Sequence, residues 1–424
     1  MKKILVFAFV IAARSTVFAQ EKTDKFLVDL LKKQPEKFGK ILANPAAYRV
    51  QILYTQINRD KNNVPHFKSY AYRLNKDEYF YPASTVKFPS TLLALEKLNS
   101  LKIKGLDRKT TMLSDSAYDW QIRQLEDSTN LENFKPTIEH YVKKILVVSD
   151  NDAFNRLFEF MGQEAFNETL RRKGFADVRI THRLSVGMTR EQNRRSNPIS
   201  FVGKKGEKLY EQPVLVSTKM YEPKAVVKLG KGYMTAGKTI YVGDSLVKEP
   251  FDFTFKNSFP IENQQAILKT MLFPEAVKAE QRFNLTPEDY KFLYQYMSQY
   301  PTETKSPPYA SDTSMTDSYC KFLMFGDSKK PIPRNIRIFN KVGDAYGFLI
   351  DNAYVVDFEK GVEFMLTATI YCNEDGIFND DHYDYDDFGF PFMANLGKTV
   401  YDFEVSRKRK VKPDLSKFKL KYDN

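Results

Sequence analysis

The chain has 424 residues, 42% of them hydrophobic and 28% charged, which excludes a disordered polymer and suffices for one large core or two intertwined ones. Its formal net charge of +12 tilts it towards anionic partners such as cell-wall polymer or carboxylate-bearing substrates. The basic residues are not interleaved with aromatics along any one element, and "RKRKVK" (407–412) reads as a solvated tail, so no nucleic-acid partner is expected.

Residues 1–19 begin with Lys2 and Lys3, continue through an apolar run over 4–13 and reach Val17-Phe18-Ala19, the small-residue spacing of a signal-peptide cleavage site. Arg14 interrupts the pattern, but ten apolar residues are too few to span a bilayer. No cysteine stands at the cleavage point to take a lipid. The expectation is a periplasmic or secreted protein, monomeric, with no integral membrane segment after cleavage. Cys320 and Cys372 can pair in an oxidising compartment, but spacing alone does not bring their Cα atoms together.

Past residue 19, "DKFLVDLLKKQPEKFGKIL" (24–42) carries Phe26, Leu27, Leu30 and Leu31 at helical spacing, with Pro35 dividing the run. "YRVQILYTQIN" (48–58) and "FKSYAYRL" (67–74) predict two strands of a hairpin around the polar "RDKNNVPH". A helix is predicted over 84–99, and two more within 136–161, broken at "SDND". Residues 195–319 are rich in Pro, Gly, Tyr and charge; apart from the helical "PEDYKFLYQYMSQY" (287–300), they read as an insertion or lid. From 334 three strands return, in "RNIRIFNKVG", "YGFLIDNAYVVDF" and "VEFMLTATIYCN", and 389–405 closes the chain as a helix.

Strands at both ends with helices between them predict an α/β chain of the α+β kind: a five-stranded antiparallel sheet flanked by helices, plus an all-helical subdomain. The expected division is 1–19 as leader, 20–75 with 320–424 as the sheet-bearing part, 76–194 as the helical part, and 195–319 as the insertion.

The chemistry starts at Ser84 and Lys87. Three residues apart, they share one face of a helix whose start presents free N–H groups. A serine hydroxyl needs a base within reach, and a lysine buried among apolar neighbours has its pKa depressed towards neutrality. Ser84 would therefore attack while Lys87 removes its proton. The S-x-x-K spacing also occurs at Ser245, Ser318 and Ser416, and K-x-G occurs at Lys37, Lys204, Lys228 and Lys341. Only Ser84 precedes a long apolar helix and lies upstream of the unique Ser149-Asp150-Asn151, and only Lys341 falls where one strand ends and another follows.

The ordered set "ASTVK", "SDN", "KVG" resembles the penicillin-recognising serine hydrolases, closest to class A β-lactamases, over most of 40–405 outside the expanded segment. The resemblance implies the sheet-plus-helices fold with the active site between the two parts. It implies that Ser149 relays a proton to the leaving nitrogen and that Asn151 binds the substrate amide. It also gives Lys341 a charge role towards Ser149 and a substrate carboxylate, and makes an oxyanion hole of the N–H groups of Ser84 and Asp344, just after Gly343.

Two departures stand out. Val342 occupies the place where the family usually has Thr or Ser to hold that carboxylate. The family's loop glutamate for deacylation has no counterpart at the aligned position after Arg183-Leu184, where Met188 stands; the nearest acid, Glu191, is the candidate deacylation base. No metal or cofactor is expected, since His66, His140, His182 and His382 are scattered and "NDDHYDYDDFG" (379–389) lacks the spacing of an EF-hand loop. The expected activity is hydrolysis of β-lactam amides through an acyl-enzyme. A cell-wall D-alanyl-D-alanine peptidase or transpeptidase, or a non-catalytic cell-wall-binding descendant, is the alternative.

Overall fold

The computed structural model describes residues 21–234, 245–247 and 249–423. The expected signal peptide therefore lies outside the described residues. The N-terminal helices α1 (Lys25–Lys32) and α2 (Pro35–Ala43) divide at Pro35 as predicted, the proline sitting at the first helical position, where its missing N–H costs nothing. They cover one face of the sheet with Leu27, Leu31, Phe38 and Ile41.

The hairpin β1 (Gln51–Arg59) and β2 (Pro65–Tyr72) follows. The C-terminal strands are β10 (Ile336–Ala345), β11 (Phe348–Asp357) and β12 (Val362–Tyr371), and the five join in the order β10-β11-β12-β1-β2. All four pairings are antiparallel, and Gln51 stands opposite Thr369, so the two ends of the chain build one sheet as expected. Both faces are buried: β11 has no exposed residue, and α10 (Phe390–Ser406) packs with α1 and α2 on one side.

On the other face lies the helical part. It contains α3 (Lys87–Leu101), β3 (Thr111–Ser114), α4 (Ile138–Val148), α5 (Asn151–Met161), α6 (Gln163–Arg172) and the single turn α7 (Arg190–Asn193). Its core is built from Leu92, Leu95, Tyr141, Ile145, Phe154 and Phe158, all essentially inaccessible.

The segment 195–319 divides differently from the expectation of a single insertion or lid. Its first part supplies β4 (Ile199–Val202) and β5 (Lys208–Gln212), which extend β3 into a small sheet. The short strands β6 (Lys228–Leu229), β7 (Lys231–Met234), β8 (Ser245–Val247) and β9 (Phe251–Asp252) follow, with β7 joined by β13 (Ile377–Phe378).

Its second part belongs to the main core. Helix α8 (Ile261–Leu272) lies across the sheet. Gln265 accepts from Thr55 Oγ1 at 2.6 Å and donates to the Leu53 carbonyl at 2.8 Å and Thr367 Oγ1 at 3.0 Å. Its neighbours Ile267, Leu268, Met271 and Leu272 are buried. Helix α9 (Pro287–Ser298) buries Phe292, Leu293 and Met297 in the same cluster. Even the proline-rich stretch after it is anchored, because Glu303 forms a bidentate pair with Arg337 of β10 at 2.7 and 3.0 Å.

Candidate active site

The turn that carries Ser84 is made by its neighbours. Pro82 offers its carbonyl to the N–H of Thr85 at 3.1 Å and to Thr85 Oγ1 at 2.6 Å, closing a 3₁₀ turn over Ala83–Val86. Ala83 is thereby held at φ +46°, an uncommon conformation for a residue with a Cβ and one that persists only under strong local constraint. Helix α3 begins immediately afterwards with Lys87, which is wholly buried.

Ser149 reaches the same place from α4. It ends that helix at φ +63°, with its N–H on the Ile145 carbonyl at 3.1 Å. Asp150 then caps α5 by accepting from the Ala153 N–H at 2.7 Å. The triplet is a helix-to-helix cap and a site element at once. Asp150 supplies the cap, and the left-handed Ser149 turns its hydroxyl out of the junction towards the lysines.

There the Ser149 hydroxyl oxygen sits between two amino groups. Lys341 Nζ, from β10, donates to it at 2.7 Å and to the Val342 carbonyl at 2.8 Å. Lys87 Nζ lies 3.3 Å from the same oxygen and also bonds the Ser149 carbonyl. Burial, then the nearby Lys341 cation, pushes the Lys87 pKa well below its ordinary value. Burial likewise brings Lys341 down to about 8, so at neutral pH Lys341 is the better proton holder of the two.

Gly343 brings β10 against the nucleophile's turn. A Cβ at that position would lie 2.8 Å from the Pro82 carbonyl oxygen, 2.9 Å from the Ser84 nitrogen and 3.0 Å from the Thr85 nitrogen, so only glycine permits the approach. Asp344 follows at the exposed end of the strand. Its side chain reaches solvent, yet the protein mass around it raises its carboxyl above the usual range against the pull of Lys341 and Lys87. Asn151 opens α5, and its Nδ2 donates to Ser185 Oγ at 2.6 Å.

The structure thus brings Lys87, Ser149 and Lys341 into direct contact, and Gly343 beside the N–H of Ser84. Glu191 is placed otherwise. It lies exposed on α7, where Arg194 holds one carboxylate oxygen at 2.6 Å and Arg195 holds the other. These arginines keep its carboxyl below the usual range. A carboxylate committed to two guanidinium groups at the surface is a poor base, which weighs against Glu191 as the deacylation base. Cys320 and Cys372 are both buried free thiols.

Two features escaped the sequence reading. Ser185, at φ +55°, is the partner that orients Asn151, and nothing in its sequence context marks it. Glu159 bridges Arg156 at 2.9 Å and Arg183 at 2.8 Å, tying the 183–195 loop to α5. The three-residue spacing of Arg156 and Glu159 on one helix was the available signal.

Residues 36–222 match the family model described as the β-lactamase enzyme family. The match runs from α2 through Ser84, Lys87 and Ser149-Asp150-Asn151, and ends before Lys341. No curated protein matches the chain. Among solved structures, a β-lactamase from Xanthomonas campestris pv. campestris is similar at 14% identity, over 88% of this chain and 98% of that chain, with a TM-score of 0.47. A class A β-lactamase from Clostridium kluyveri is 16% identical over 88% and 98%, with a TM-score of 0.45. PBP-A is 14% identical over 91% and 98%, with a TM-score of 0.46. The family match over residues 36–222 and the sheet-plus-helices architecture support a β-lactamase-like fold.

Proposed function

We propose that this protein is a serine acyl-transfer hydrolase that opens β-lactam amides by acylating Ser84. The observation that carries the reading is the Ser149 hydroxyl held between Lys87 and Lys341. Lys87, deprived of its charge by burial, takes the proton of Ser84 as the hydroxyl attacks the amide carbon. The oxyanion is received by the N–H groups of Ser84 and Asp344, between which Gly343 closes the distance. Ser149 passes a proton to the departing nitrogen and is resupplied from Lys87, while Lys341 offsets the charge that develops. Asn151 fixes the substrate amide. Residues 1–19 support export as part of the same reading, and the protein would act as a monomer. Incubation with benzylpenicillin should give an adduct of one penicilloyl mass, mapped to Ser84. An adduct on another residue, or none, overturns the proposal.

A second reading, a D-alanyl-D-alanine peptidase or transpeptidase that passes its acyl group on slowly, is favoured by the placement of Glu191. Since its carboxylate is engaged by Arg194 and Arg195, Glu191→Gln is expected to leave the lifetime of the adduct unchanged. Accumulation of adduct in the variant, followed by intact mass over time, would restore Glu191 as the water-activating base.

The pH profile of acylation has two limbs. The rate rises as pH climbs through the lowered pKa of Lys87, because only the neutral amine accepts a proton. It falls again above about 8, where Lys341 loses its charge. Stopped-flow acylation across pH 5–10, a range set to bracket about 8, should return this bell, and a rate that climbs to the alkaline end would remove Lys341 from the charged role.

A further inference from the structure

We propose that the side chains of Lys321 and Asn340 condense into an amide, tying the stretch ahead of β10 to that strand by a covalent bond, with Asp351 of β11 as the proton carrier. Lys321 Nζ donates to Asn340 Oδ1 at 2.6 Å and to the Met297 carbonyl at 2.9 Å. Asn340 Nδ2 donates to the Cys320 carbonyl at 2.9 Å and to Asp351 Oδ1 at 2.8 Å. The other oxygen of Asp351 accepts from the N–H groups of Phe322 and Leu323, at 3.1 and 3.0 Å. A single side-chain amide thus has an amine on its oxygen and a carboxyl on its nitrogen.

All three residues are buried, Asp351 completely. Asn340 pairs with Ala353 across the ladder, and Asp351, two residues before Ala353, shares its face of the sheet. Phe322, Leu323 and Val342 belong to the apolar cluster on that face. The Lys321 amine meets two carbonyl oxygens there and forms no ion pair with a carboxylate among the described residues. An ammonium so placed is costly, and burial brings Lys321 down to about 8 while raising Asp351 to about 6. A neutral amine is a nucleophile, and a protonated carboxyl is a proton source. Neither group has a part in the acyl transfer described above, so the inference is independent of it.

The neutral amine of Lys321 attacks Cγ of Asn340, and the new Nζ–Cγ bond gives a tetrahedral adduct that carries both nitrogens on one carbon. Asp351 gives its proton to Nδ2, the Cγ–Nδ2 bond breaks, and ammonia leaves. The proton shed by Nζ restores Asp351. Nothing is oxidised or reduced, and no co-reactant is required. Amine attack on an amide is slow in solution, but two groups held in contact at a fixed site are spared the entropy of encounter.

The test is the intact mass of the purified, denatured protein, joined to peptide mapping. The wild type should be lighter by one ammonia than its sequence from the observed N-terminus requires, and digestion should release the segments around Lys321 and Asn340 as one joined peptide. Lys321→Arg and Asp351→Asn should both show the full sequence mass, with circular dichroism reporting that they fold. A wild type at full mass overturns the inference. So does a deficit that survives Lys321→Arg, or one that Asp351→Asn leaves undiminished. Should neither variant fold, the wild-type digest decides alone, and absence of the joined peptide overturns the inference.

Discussion

Lys87→Ala is expected to slow acylation of Ser84 by about 10²–10⁴-fold, the usual contribution of a positioned general base. Ser84→Ala removes the adduct altogether. The size of the Lys87 effect follows from its surroundings. The side chain is fully buried at the first position of α3, and its amine is fixed by both oxygens of Ser149. Lysine at ordinary pKa would be protonated at pH 7 and useless as a base, whereas burial and the Lys341 cation shift it the other way. Arginine, which stays charged, should therefore fail as completely as alanine. Second-order acylation rates with benzylpenicillin measure the effect. A loss of less than about tenfold would assign the proton transfer elsewhere.

The largest effect on stability is expected at Glu159. Its carboxylate is 2% exposed and lies between Arg156 and Arg183, each 3% exposed, with Ser114 Oγ at 3.2 Å completing its contacts. Glu159→Ala leaves the buried Arg183 guanidinium without its counter-charge and Arg156 with only the part-exposed Asp152, a change that costs about 3–5 kcal/mol. Arg183 also donates to the Arg195 carbonyl at 2.8 Å, so the loop that presents Ser185 to Asn151 should loosen with it. Urea unfolding followed by circular dichroism gives the stability change. A loss below about 1 kcal/mol would mean that Asp152, already 2.9 Å from Arg156, takes over the pairing.

Much of this architecture is written in local patterns. The strands of β10, β11 and β12 are long and apolar, and Pro35, Ser84 and Asp150 mark helix starts, so the sheet, the nucleophile's helix and the order of the motifs are legible from residues alone. What is not legible depends on burial. Helix α8 carries Gln264 and Gln265 in its interior, which reads as polar loop. In the fold Gln265 bonds β1 and β12, while the Gln264 carbonyl accepts from Asn352 of β11. Glu191 stood at a suitable distance along the chain from Arg183-Leu184, but the neighbouring Arg194 and Arg195 captured it. The pairing of Cys320 and Cys372 was equally beyond reach, since cysteine spacing contains no distance in space, and the two remain apart as thiols.

Because β1 is paired with β12, one edge of the N-terminal hairpin has no strand beside it until residues 362–371 have been made. Ile52, Tyr54 and Ile57, all buried in the finished sheet, must wait through the synthesis of the entire helical part before their strand is sandwiched. Closure across so long an intervening chain is entropically costly and slow. A ribosome-bound fragment ending before residue 362 should leave β1 with an open hydrogen-bonding edge. That edge is a template for aggregation unless another protein shields it. The last long strand of the sheet in chain order is thus also the one that completes it.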